Sequence, residues 1–184
     1  MSDDILEVME LFDNAIGRVG FDTDENEDLS GNAGIEAAIA QLYQKDDKES
    51  FLFLLTVLCA RMKCEGHGLV PFVEVGEGFF SDMDIYRLKE GDTVSLDHDV
   101  RLRMDTVTQD KEEEWLYLFT SEAELRKQQC GNVIMSIPIK DMLQTALDSD
   151  KVSGLVINPF GKYVKLDKKI LEFLLQEYEK EWEE

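Results

Sequence analysis

Trp115-Leu-Tyr-Leu-Phe119-Thr-Ser121-Glu-Ala-Glu124 decides the fold. From Trp115 to Phe119 every residue is apolar, with no position left for a wet face, which marks a central strand covered on both sides. Ser121 and Glu124 then stand at capping-box spacing: the hydroxyl accepts from the first turn of a helix while the acid reaches back to the cap. The strand therefore stops at Thr120, and a short helix runs on to about Gln128.

Outward from this strand the same reasoning continues. Val100, Leu102 and Met104 alternate with Arg101, Arg103 and Asp105, which predicts a strand with one buried and one wet face. A polar turn through Gln109-Asp-Lys-Glu112 joins it to the central strand. Leu69-Val-Pro-Phe-Val-Glu-Val75 reads as another strand, with Pro71 near its beginning or on an edge because proline has no N–H to give. Ile35 to Gln44 reads as a helix ended by Lys45-Asp-Asp47. Asp46 and Glu49 have capping-box spacing ahead of the apolar run Phe51 to Ala60. Length and cap favour a helix there, with a buried strand as the alternative, and Arg61 and Lys63 suit a helix C-terminus. Burying Phe51, Leu54, Leu55 and Leu58 is worth about 1.5 to 3 kcal/mol each, which makes this run the expected spine of the core.

Downstream, Asn132 to Ile137 is a strand, and Pro138 suits the first turn of a helix whose stripe is Ile139, Met142, Leu143, Ala146 and Leu147. Gly154 to Ile157 is the next strand. Asn158-Pro159-Phe160-Gly161 fits a type I turn, with Asn first, Pro second and Gly fourth, and leads to a strand from Lys162 to Leu166. Asp167 caps a closing helix that carries Ile170, Leu171, Leu174, Tyr178 and Trp182. Helices, then a meander, then alternating strand and helix predict a single α+β domain over 35–184, a mixed, largely antiparallel β-sheet packed with several α-helices. Residues 1–34 form an acidic appendage: a short amphipathic helix carrying Ile5, Met9, Phe12 and Ile16, then a polar linker from Phe21 to Gly34.

Leu69-Val-Pro-Phe-Val73, Leu118-Phe-Thr-Ser-Glu-Ala-Glu-Leu125 and Gly154-Leu-Val-Ile-Asn-Pro-Phe-Gly161 together resemble the bacterial SseB N-terminal domain family. The resemblance spans roughly residues 35 to 176. It implies an α+β domain of unassigned biochemical activity, with no catalytic residue to carry across. Relative to the longer members, the chain is expected to end after this domain and to add the acidic N-terminal segment.

Charge bounds the partners. A net charge of −21 over 184 residues argues against nucleic acid, where binding rests on cations displacing counterions, and against an anionic membrane surface. The longest uncharged apolar run, Ser50 to Ala60, is far too short to span a bilayer. Three cysteines and no charged-then-apolar leader indicate reduced thiols and a cytoplasmic location.

The candidate chemistry is sparse. Asp22, Asp24, Asn26 and Asp28 resemble the start of a calcium loop, but Glu27 and Ala33 replace the required glycine and bidentate glutamate. Cys59, Cys64 and His67, with Cys130 or His98, lack zinc-knuckle spacing. Cys130 fits a strand-edge thiol better than a nucleophile, and neither histidine sits in a catalytic motif. No metal or cofactor is therefore expected, and the balance leans away from an enzyme. The oddest charge feature is Lys162, Lys165, Lys168 and Lys169, a basic run in an acidic chain, read either as a solvated face or as a site for an acidic peptide or small anion. The leading expectation is a non-enzymatic interaction or regulatory module that presents Asn158, Pro159, Phe160, Gly161, Lys162 and Lys165 to a protein partner. A small-molecule sensor or enzyme with a pocket invisible in linear sequence is the rival, an acidic mimic of nucleic acid a third reading, and weak self-association a further expectation.

Overall fold

A computed structural model describes residues 29–75, 101–109, 113–128 and 133–180. The expected N-terminal helix, the calcium-like segment, Cys130, His98 and Trp182 lie outside them.

The chain enters through a 3-10 turn, Ser30–Asn32, and helix α1, Ala33–Lys45, which buries Ile35, Ala38 and Ile39 on one face. Part of the stretch read as linker is thus ordered, and Asn32 is fully buried. The cap between the first two helices differs from expectation by one residue. Asp46 ends α1 in the left-handed region (φ 50°), a conformation its short polar side chain tolerates, and its N–H bonds to Leu42 O. Asp47, left extended, therefore becomes the cap of α2, Lys48–Lys63, and its carboxylate accepts from Ser50 N at 2.8 Å. The Ser50 hydroxyl and then the Ser50 N–H hold the Asp47 carboxyl below its ordinary pKa. A depressed folded pKa means the cap contributes fully above about pH 4 and is lost as pH falls through the folded value. Urea melts of wild type and Asp47→Ala should therefore differ at pH 7 and converge under acid; an unchanged gap would contradict this role of the carboxylate.

The run from Phe51 to Ala60 is helical, and α2 is apolar nearly all round because the domain closes over it. Leu54, Leu58 and Cys59 are fully buried, and only Phe51, Phe53 and Val57 reach the margin of the core.

Strand β1, His67–Glu74, pairs antiparallel with β2, Leu102–Met104, on one side and with β5, Val133–Pro138, on the other. A second sheet has the order β3-β4-β6-β7: Thr106–Gln109, Glu113–Leu118, Gly154–Ile157 and Val164–Asp167. Only β4 and β6 run parallel there; the other pairs are antiparallel. Leu69 and Phe119 exchange both backbone hydrogen bonds at 2.9 Å and join the two sheets. Pro71 stands in the middle of β1, not near its start. Its carbonyl accepts from Asp105 N, so its nitrogen also faces away from β5, between the Phe119 bridge and β2, where no ladder bond is lost.

The strand read through Met104 does not lead straight to the turn expected at Gln109–Glu112, most of which lies outside the described residues, because Asp105 is a corner between two strands. Its Oδ1 accepts from Thr106 N and its Oδ2 from Tyr117 Oη at 2.6 Å, and β3 crosses into the second sheet. Helix α3, Glu122–Leu125, follows β4; α4, Ile139–Asp148, starts directly after Pro138; and α5, Lys168–Glu179, is capped by Asp167 accepting from Ile170 N. Strand β4 is covered on both faces as read. Leu116 and Leu118 join Leu155, Ile157 and the helices in the main core, while Trp115, Tyr117 and Phe119 form a second cluster with Val156. No described helix is long and apolar enough to cross a membrane.

Candidate functional site

Because β4 and β6 are parallel, their carboxyl ends arrive side by side, Leu118 opposite Ile157. Open sheets bind ligands just beyond such ends. Just beyond these ends lie Thr120, two residues after Leu118, and Asn158, both buried, and they recognise each other. Asn158 Oδ1 accepts from Thr120 N at 3.0 Å, and Asn158 Nδ2 donates to Thr120 Oγ1 at 2.9 Å. The Thr120 hydroxyl in turn donates to Glu36 Oε1 on α1 at 2.7 Å. Asn158 takes the left-handed conformation (φ 55°), and its N–H bonds to Leu118 O.

A second polar group ties this point to the helices. Asn32 Nδ2 donates to Thr120 O at 2.9 Å and to His67 O at 2.8 Å, while its Oδ1 accepts from Arg61 Nε at 2.9 Å. The buried Arg61 side chain passes between Gly31 and Gly66, so close that a Cβ at either glycine would overlap it. Arg61, expected as a cationic helix finish, instead supports the strand ends from behind.

On this base sits the exposed layer. Gly161 N–H donates to Asn158 O at 3.1 Å, closing the Asn158–Gly161 turn. Asn158 and Pro159 are buried and serve as its foundation, whereas Phe160, Gly161 and Lys162 face outward. Phe160 is 46% exposed, yet its ring stacks on Phe119 (centroids 6.1 Å apart) and meets Tyr117 edge-on (6.3 Å). Beyond it, Tyr43 Oη donates to Tyr163 O at 2.9 Å and accepts from Tyr163 N at 3.1 Å, which fastens the loop to α1. The Lys162 ammonium lies 6.0 Å from the Tyr43 ring centroid. Gly161 is a close approach: a Cβ there would overlap Glu124 and Lys127, which pair at 2.6 Å.

The basic run does not act as one unit. Lys165 lies over the Trp115 ring at 5.3 Å, Lys168 donates to Ser149 O at 2.7 Å, and Lys169 is exposed on α5. Only Lys162 joins the turn. It also lines a cleft of about 320 Å³ between α1 and the turn, together with Glu36, Ile39, Ala40, Glu124, Lys127 and Asn158. A wider depression at the α1–α2 junction, about 660 Å³, includes Asp46 and Asp47, which already serve as caps.

The two described thiols, Cys59 and Cys64, stand apart from this region. Burial in α2 pushes the Cys59 thiol up to about 12, so it stays protonated, and Cys64 is half-buried at the end of the same helix. His67 lies on β1, its Nδ1 buried without a partner among the described residues. No three His, Cys, Asp or Glu side chains among the described residues stand close enough to hold a metal ion.

Residues 35–169 match the SseB protein N-terminal domain family. The chain belongs to that family. No curated protein and no solved structure matches it. The SseB N-terminal match opens at Ile35, the first core residue of α1, and ends in the first turn of α5. Thr120, Glu36, Asn158 and Phe160 all fall inside it, whereas Asn32 precedes it. Linear reading missed Asn32, Glu36, Arg61, Thr120 and Lys127. A signal existed for Thr120 alone, which stands between the central strand and its capping box.

Proposed function

We propose that this domain is a non-enzymatic interaction module in which a rigid turn presents Phe160 and Lys162 to a protein partner. The observation that carries the reading is the state of Phe160: nearly half exposed, yet fixed by two buried rings beneath it and by the Asn158–Thr120 hydrogen bonds behind it. An aromatic ring held in place before binding loses little conformational entropy on contact, which is how interface anchors gain their strength. Tyr43 and Tyr163, 48% and 39% exposed, extend the same surface with amphipathic rings, and Lys162 supplies charge at its rim. Lys165 lies apart, over Trp115, so the contact is centred on Phe160. A cytoplasmic setting belongs to the same proposal, supported by the free thiols of Cys59 and Cys64.

Affinity capture from cell extract with wild type, Phe160→Ala and Lys162→Glu tests this. A protein retained by wild type should bind Phe160→Ala about 30-fold more weakly once purified, and Lys162→Glu should also bind less. Lys162→Glu should keep the wild-type Tm, and Phe160→Ala should stay folded with a Tm lower by only a few degrees, the cost of its contacts with Phe119 and Tyr117. Identical retained proteins with identical affinities would refute the reading.

A further inference from the structure

The cleft of about 320 Å³ beside the turn is distinct from the Phe160 surface, because Phe160 does not line it. Its size falls at the lower end of small-ligand sites, but its lining is more polar than most of them: Glu36, Glu124, Lys127, Asn158 and Lys162 surround two apolar residues, which suits a small charged ligand. Ile39 and Ala40 are its apolar lining. Asn158, 2% exposed, is clamped through Oδ1 and through one of its two Nδ2 hydrogens, which leaves the other hydrogen as a fixed donor. Glu36 is oriented by the Thr120 hydroxyl on Oε1, and Lys127 by Glu124 at 2.6 Å. Lys162 meets the face of Tyr43 and forms no ion pair among the described residues.

The charges decide the class of ligand. Glu36 and Glu124 oppose Lys127 and Lys162, so the cleft is locally neutral inside a chain of net charge −21. Because Glu124 and Lys127 pair with each other, an anion would meet Glu36 and the field of the whole chain, and a cation would meet Lys162. A molecule carrying both signs finds an opposite charge at each end. We propose that the cleft binds a small zwitterion of the α-amino acid class. Its carboxylate lies against Lys162 and the spare Asn158 Nδ2 hydrogen, its ammonium against Glu36, and its side chain over Ile39 and Ala40.

Thermal unfolding of the full chain with each free amino acid, and with its N-acetyl and methyl ester forms, tests the assignment. At about 100 times Kd a bound amino acid should raise Tm by roughly 5–10 °C, and each capped form should lose the shift because one charge is gone. Calorimetric titration should then show Glu36→Gln and Lys162→Gln weakening that amino acid by about tenfold or more. Phe160→Ala should leave its affinity unchanged, which separates this site from the protein-docking surface. Glu36→Gln keeps an acceptor for Thr120, and Lys162 is exposed, so at least one variant remains folded for the measurement. No shift with any free amino acid, equal shifts with the capped forms, or wild-type affinity in Lys162→Gln would overturn the proposal.

Discussion

Gly154→Ala is expected to destabilise the domain by about 3 kcal/mol or more, a fall in Tm of roughly 6–12 °C for a chain of this size. Gly154 begins β6 with φ +157°, and a Cβ there would run into the Leu166 carbonyl oxygen and the Trp115 ring. Backbone oxygen and a buried indole cannot both give way, because Leu166 is held by its pairing with Leu155 and Trp115 by the cluster with Tyr117 and Val156. Gly34→Ala is the matched control. Its Cβ would make ordinary contact with Val57 at 3.5 Å inside α1, so it should stabilise by a few tenths to about 1 kcal/mol. Denaturant melts of the pair should move in opposite directions; a neutral Gly154→Ala would mean that β6 and β7 can separate without cost.

Asn158→Ala should cost about 2–4 kcal/mol. Removing the amide strands the buried Thr120 N–H, worth about 1–3 kcal/mol, and forces alanine into the left-handed region at about 1 kcal/mol more. Asn158→Gly relieves the second cost and keeps the first, so it should be the milder variant by about 1 kcal/mol. Equal losses in chemical melts would remove the backbone contribution. A loss under about 1 kcal/mol in Asn158→Ala would mean that another group reaches Thr120. The same variant should also weaken both proposed interactions, since the turn and the cleft share this residue.

Side chains that act on near neighbours were legible in the sequence. Ser121 caps α3, Asp167 caps α5, and the run Trp115 to Phe119 lies between two covered faces, as spacing alone predicts. Where two local rules competed for adjacent residues, reading slipped by one. Asp46 and Asp47 can both cap, and the choice depends on which of them the α1 terminus draws into the left-handed region. Long-range polar pairing left no linear trace. Asn158 matches the first position of a turn, an ordinary exposed place, yet its amide finds Thr120 because β4 and β6 happen to run parallel. Arg61 looks like a charged helix end until Gly31 and Gly66 are seen to enclose it. The candidate site is made mostly of such pairings, so its outer residues, Phe160 and Lys162, could be named in advance and its base could not.

The placement of β1 governs how the chain must acquire its structure. Its longest pairing is with β5, His67 to Phe72 opposite Pro138 to Val133, so the first sheet closes only after most of the polypeptide has been made. Until then the edge of the apolar ribbon from Leu69 to Phe72 that faces β5 has no mate, and such slow, non-local pairing is when nascent chains are captured by chaperones or by one another. Emergence of β5 from the ribosome should therefore be the committing step in biogenesis, with the second sheet docking onto the first through Leu69 and Phe119.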